Sequence, residues 1–191
     1  MLNIKNGAMF GLDARIALAI FGALSVISGS ALYSAIQESK VVQAISQLKE
    51  IEKAYEQYML DTGSKTKYLA GDEASIEELV KNINTVSGWM GPYLPYEQSS
   101  TRDGLVTEFD DIIVRVRQKT VDWGDGIANN DDCSGDDCFV WIGWLGLPDV
   151  VADAIDLRVD GQLDNTKGNV RYYDWASGVA FYIRTGIKYE Y

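Results

Sequence analysis

Between Ile16 and Gln37 the chain carries no charged side chain. The run reads IALAIFGALSVISGSALYSAIQ. As a helix it is about 33 Å long at ~1.5 Å per residue, enough to cross a hydrocarbon core of roughly 30 Å. Two other readings fit so apolar a run: a buried core helix and the hydrophobic part of a secretory signal. A buried core helix needs a larger domain around it than 191 residues offer. A cleaved signal is usually shorter and gives way to unrelated mature sequence. Gly22, Ser25, Ser28, Gly29 and Ser30 leave a low-relief surface that a second helix can approach closely.

The helical pattern continues past that run. From Glu38 the chain reads ESKVVQAISQLKEIEKAYEQYMLD. Val41, Ala44, Ile45, Leu48, Ile51, Tyr55, Tyr58 and Met59 recur mostly at steps of three and four, which is one apolar stripe. Neither proline nor glycine interrupts Ser30–Leu60, and Asp61-Thr62-Gly63 supplies the stop. The spacing predicts one helix from about Ala14 to about Leu60, roughly 70 Å long. Its first half is apolar nearly all round, and its second half has one face to pack on a domain.

Composition removes several classes of function. With 28 acids against 17 bases the formal charge is -11, which argues against nucleic acid as a primary partner. There is no histidine, so imidazole acid–base chemistry and His-ligated zinc are absent. Two cysteines cannot build a four-cysteine zinc site. No Walker A, Gly-x-Gly-x-x-Gly or Gly-x-Ser-x-Gly motif occurs. The chain does not read as an enzyme.

Ahead of the span lies MLNIKNGAMFGLDAR, with Gly7-Ala8 as a small-residue pair and Asp13 and Arg15 at the lip of the apolar run. An acid at that place is costly unless it meets a cation. It either pairs within the headgroup layer, Arg15 included, or pairs with a neighbouring subunit.

The short leader ending in small residues, the acid before a long uncharged span and the amphipathic continuation together resemble type IV pilins and type II secretion pseudopilins. In that family a membrane prepilin peptidase removes the leader and the new N-terminus is methylated. The acid then pairs with the N-terminus of an adjacent subunit, and the spans bundle into a filament core. The resemblance implies a structural subunit of a type IV pilus-like filament, or alternatively a pseudopilin of a type II secretion system. A monomeric membrane-anchored periplasmic binding module is the remaining reading. The implied partners are copies of the chain itself, the peptidase and an inner-membrane assembly platform. The head would lie in the periplasm until the subunit enters an extracellular or periplasmic filament.

The family's acid stands at the fifth mature position, usually as glutamate after a cut behind glycine. Here a cut behind Ala8, leaving Met9 first, puts Asp13 at that position, whereas a cut behind Gly7 puts it one later. The cut after Ala8 is preferred on charge geometry. The implied organisation is a leader over 1–8, a long helix over 9–61 with the spanning segment at 16–37, and a globular head over 62–191. Asp13, Gly22, Ser25 and Gly29 are the implied assembly residues. The span lacks the proline common in the family.

The head reads as α+β: a long N-terminal helix packed against a C-terminal antiparallel sheet, as in pilins. Asp72 is placed to cap a helix EASIEELVKNI, with Ile76, Leu79, Val80 and Ile83 on one face. Trp89-Met-Gly-Pro-Tyr-Leu94 forms an aromatic loop, and it resembles a run in major pseudopilins that lies between helix and sheet. FDDIIVRVRQKTVDW alternates like a strand. FVWIGWLGL is either a buried strand or a loop exposed for contact. Pro148-Asp149 opens a short helix, Asp160-Gly161 marks a turn, and NVRYYD with VAFYIRTGIKYEY reads as a closing antiparallel pair. Ile155-Asp156, Asp160-Gly161, Thr166, Gly168 and Val170-Arg171 follow an order similar to one near the end of many type IV pilin-like proteins.

From Thr120 to Leu157 there are nine aspartates and no Lys or Arg. Asp131, Asp132, Asp136 and Asp137 surround Cys133-Ser-Gly-Asp-Asp-Cys138. Clustered carboxylates suit Ca2+, which takes six to eight oxygens, but the EF-hand order of ligands is absent, and a solvated acidic loop is the other reading. Major pseudopilins bind calcium, so the resemblance implies it here. Cys133 and Cys138 are close enough to bridge through a turn at Ser134-Gly135, and an oxidising compartment favours the disulfide. Four intervening residues disfavour a redox pair.

Overall fold

The computed structural model describes residues 7–66, 73–99, 104–107, 113–120, 138–175 and 178–188. Helix α1 runs Gly7–Thr62 without a break. It ends where the sequence supplies its stop: Gly63 takes a φ of +67°, and its N–H closes on the Met59 carbonyl at 2.9 Å. The chain divides into two compact units, Met1–Lys40 and Val41–Tyr191. Among the described residues, the first holds the exposed part of α1. The second contains the amphipathic part of α1, a sheet and a short helix.

Strand β1 is Glu73–Ala74, β2 Glu97–Gln98, β3 Leu105–Val106, β4 Ile113–Thr120 and β5 Cys138–Leu147. Helix α2 is Asp149–Val159, and β6 Val170–Trp175 and β7 Gly178–Lys188 follow. All pairings among these strands are antiparallel, in the order β2-β3-β4-β5-β7-β6, with β1 paired to β4. The segment FVWIGWLGL is therefore a central strand, and it is buried along nearly its whole length. The closing pair is β6 and β7, in register from Val170↔Ile183 to Trp175↔Gly178.

The stripe predicted on α1 is the one the core uses. Val41, Ala44, Leu48, Ile51, Tyr55 and Tyr58 are buried in one cluster with Val140, Ile142 and Trp144 of β5 and Ile155 of α2. Strand alternation sends Trp141, Leu145, Ala180 and Tyr182 to a second cluster. Gly143 lies in that second set of positions because Tyr182 packs over it: a Cβ there would stand 2.3 Å from the Tyr182 ring.

The helix expected over EASIEELVKNI does not form. Glu73–Ala74 pairs with β4, and a single 3-10 turn covers Ile76–Leu79. The proposed cap, Asp72, lies outside the described residues. The apolar spacing of Ile76 and Leu79 is real, and both are buried, but so are Glu77 and Glu78 between them. An amphipathic helix would turn those two carboxylates to water. Here each has internal donors: Glu77 accepts from the Gly104 N–H at 3.2 Å and Glu78 from the Tyr58 hydroxyl at 2.6 Å. Tertiary hydrogen bonding overrides the local helical pattern.

Glu78 also anchors the aromatic loop. It accepts from the Asn84 amide, and its carbonyl accepts from Trp89 Nε1 at 2.7 Å. Tyr93 packs edge-on to both Tyr58 and Trp89, with centroids 5.9 and 5.8 Å away. Gly88 sits against the Asp61 carbonyl, where a Cβ would approach to 2.4 Å. The loop thus packs on the end of α1.

Candidate functional site

The first candidate is the part of α1 that the head does not cover. Every residue from Gly11 to Ile36 is exposed. Leu18, Phe21 and Val26 are each at least 70% exposed, and because every residue of the stretch is exposed no single face is spared. The Ser25 hydroxyl donates to the Phe21 carbonyl at 2.8 Å and the Ser30 hydroxyl to the Ile27 carbonyl at 2.9 Å. Both polar groups are satisfied within the helix and cost little in an apolar environment. Gly22 and Gly29 have open space where a Cβ would stand. This is a helix long and apolar enough to cross a membrane.

Asp13 lies on the same exposed stretch. Among the described residues it makes no hydrogen bond or ion pair, Arg15 included. Gly7, Ala8 and Met9 form the first turn of α1. The structure thus places the predicted assembly residues Asp13, Gly22, Ser25 and Gly29 along one uncovered helix.

The other predicted site falls elsewhere. Asp131, Asp132, Cys133, Asp136 and Asp137 lie outside the described residues. Cys138 opens β5, fully buried, and is not a free thiol. Among the described residues no group of three His, Cys, Asp or Glu is placed to hold a metal.

A polar constellation that the sequence reading saw only as a turn joins α2 to β6. Asp160 accepts from the Asn169 N–H at 2.7 Å, the Val170 N–H at 2.8 Å and the Asn169 side-chain amide at 2.9 Å. Asp164 accepts from the hydroxyl and N–H of Thr166, at 2.5 and 3.1 Å, which holds its carboxyl below the usual range, and Lys167 adds to this. Asp156 is fully buried. One of its oxygens accepts from the Asp164 N–H at 3.0 Å and the other has no hydrogen-bond partner. Burial pushes its carboxyl up, against that hydrogen bond, and the nearby Asp160, Asp164 and Asp153 charges push the same way. Burial also raises the Tyr172 phenol, whose hydroxyl donates to Asp153 at 2.7 Å. The Asp160-Gly161 dipeptide signals a turn; nothing local tells which carboxylate meets which N–H.

A search of curated proteins returns no match, and a search of solved structures returns none. Residues 31–111 match the family described as type II secretion system (T2SS), protein G. The matched stretch takes in the C-terminal end of the exposed apolar stretch, the amphipathic half of α1, the buried Glu77-Glu78 turn and the aromatic loop. Proteins of this kind are structural, not catalytic. Over that part of its length the chain is homologous to protein G of the type II secretion system, within the superfamily of pseudopilins and type IV pilins.

Proposed function

We propose that the chain is a pseudopilin: a subunit that polymerises through the exposed part of α1 into the filament of a type II secretion system. The match to protein G over residues 31–111 carries this reading and favours it over a pilus subunit. The ordered pattern from Ile155 to Arg171 is what supports the pilus reading as the second choice.

In this reading the leader ends at Ala8, and the mature chain starts at Met9 with its head in the periplasm. Prepilin peptidase and an assembly platform in the inner membrane are its partners, along with copies of itself. Asp13 offsets the charge of a neighbour's N-terminal amine. That charge lies in a low-dielectric core, where an unpaired ion is expensive. Gly22, Ser25 and Gly29 let spans approach closely. Cys133 and Cys138 form a disulfide that shapes the acidic loop. Asp131, Asp132, Asp136 and Asp137 are the residues that would hold calcium there.

The test compares wild type with Asp13→Ala by electron microscopy of sheared fractions, with membrane fractions blotted in parallel. The substitution should leave the chain membrane-inserted and folded while filaments fall to a small fraction of wild type. Equal filament yield rejects the pairing role. Absence of filaments from abundant wild-type protein moves the assignment to a monomeric anchored module.

A further inference from the structure

Strand β6 is an edge of the sheet, and the fate of its outward hydrogen-bonding groups can be followed one by one. The Arg184 N–H donates to the Asn169 carbonyl at 2.8 Å. That bond turns alternate positions toward β7 and leaves Val170, Tyr172 and Asp174 directed away from it. Such a row is a template for another strand unless something covers it.

The α2–β6 turn covers most of it with side chains and one stretch of backbone. Val170 N–H is taken by the Asp160 carboxylate at 2.8 Å, and the Val170 carbonyl by the Arg171 guanidinium at 3.0 Å. Tyr172 N–H is taken by the Asn165 carbonyl at 3.3 Å, and the Tyr172 carbonyl by the Asn165 amide at 2.9 Å. Asn165 therefore offers both a donor and an acceptor to one residue of β6, as a residue of a neighbouring strand would. Asp174, the next outward position, is exposed and carries a charge, a common device on protected edges.

We propose that the turn is a substitute strand, and that the surface it occupies is a latent pairing site for β6 of a second copy. The occupant follows from the groups on the page. The uncovered edge presents alternating donors and acceptors over Val170–Asp174, and an identical antiparallel edge is its complement. In a filament built through α1, a reading on which this role rests, heads stand close together. The turn keeps them from joining sheet to sheet and leaves α1 as the route of assembly.

The test uses the full chain dispersed in detergent, so it does not depend on filaments, and a failure of the filament reading leaves the edge measurement intact. The variant Asp160→Ala/Asn165→Ala removes the side-chain cover. Sedimentation should show a dimer fraction about ten-fold above wild type at equal concentration, the order expected for exposing a few unmet hydrogen bonds. The Val170 amide, which loses the Asp160 carboxylate in this variant, should exchange fast when the variant is dilute and slowly when it is concentrated. A variant with native tryptophan fluorescence that stays as dispersed as wild type, with fast Val170 exchange at every concentration, overturns the proposal. Should the double variant fail to fold, Asp160→Ala alone, at a half-buried position, frees the same Val170 N–H and carries the same measurement. Gly168→Ala provides an independent route. Gly168 has a φ of +84°, and a Cβ there would stand 2.3 Å from Asp160 Oδ2, so alanine drives that carboxylate off the edge while both polar residues remain.

Discussion

Glu78 is the place where one substitution should reveal how the head is joined to α1. Its carboxylate is fully buried and serves two donors, the Tyr58 hydroxyl at 2.6 Å and the Asn84 amide. Hydrogen bonds to a charged group contribute about 1.5–3 kcal/mol each. Tyr58→Phe removes one donor and should cost roughly 2 kcal/mol. Glu78→Gln keeps the shape but replaces one acceptor oxygen by an NH2 group, so one donor meets another donor, at a cost of about 1–3 kcal/mol. In the Tyr58→Phe background the hydroxyl donor is gone, and Glu78→Gln should then cost less than ~1 kcal/mol. The expected coupling is about 1–2 kcal/mol. Urea unfolding followed by tryptophan fluorescence measures it, because all five tryptophans lie between Trp89 and Trp175, outside the exposed part of α1. At a typical slope of about 2 kcal/mol per molar urea, Tyr58→Phe shifts the midpoint by roughly 1 M. The cycle has a pH arm. Burial first, and the Glu78 hydrogen bond second, raise the Tyr58 phenol well above its unfolded value of 10.0. Its contribution is intact below pH 10 and is lost as pH rises toward the folded value, so the gap between wild type and Tyr58→Phe should narrow above pH 10. Additivity within about 0.5 kcal/mol would show that Glu78 does not join the two segments as described.

Two further substitutions probe the head. Asp156→Asn should raise stability at pH 7, by about 1 kcal/mol, because it removes a buried charge with one oxygen unpaired. The Asp156 carboxyl is raised from 3.8, so its favourable state is present below that pH and is lost as pH rises; the gain of the variant over wild type should shrink on titration toward pH 4, and a gain independent of pH would refute the assignment. Gly143→Ala should cost about 1–3 kcal/mol by thermal or urea unfolding, since its Cβ meets both the Tyr182 ring and the Phe181 carbonyl, and a neutral result would mean that Tyr182 does not pack there.

The long helix was legible because its information is local. The stripe from Val41 to Tyr58 and the stop at Gly63 depend on spacing and on one residue's backbone freedom, and the core uses that stripe. The central strand and the closing pair were legible for the same reason. Ile76–Ile83 misled because its apolar spacing is helical while its charges are buried by partners elsewhere in the chain, at Tyr58, Asn84 and Gly104. In the sequence Asp160 reads as part of a turn, and Asn165 carries no signal of its own. Their task is set by where β6 falls in the sheet, at an edge, and that order emerges only when β7 inserts between β5 and β6. The exposed apolar stretch was legible from its lack of charge, and the likeness to protein G over residues 31–111 was legible in part from the amphipathic continuation.

The exposed half of α1 also limits how this protein can travel. With Leu18, Phe21, Val26 and their neighbours bare on every side, the chain has no form that water tolerates at length. Any change of surroundings must pass directly from one oily medium to another. On the proposed reading, a subunit leaving lipid has to find a greasy berth before it has fully departed, and one shed from such a berth into buffer will clump instead of dispersing. On that reading, recycling the subunit calls for a lateral return into the bilayer, and dilution alone will not take apart the assembly.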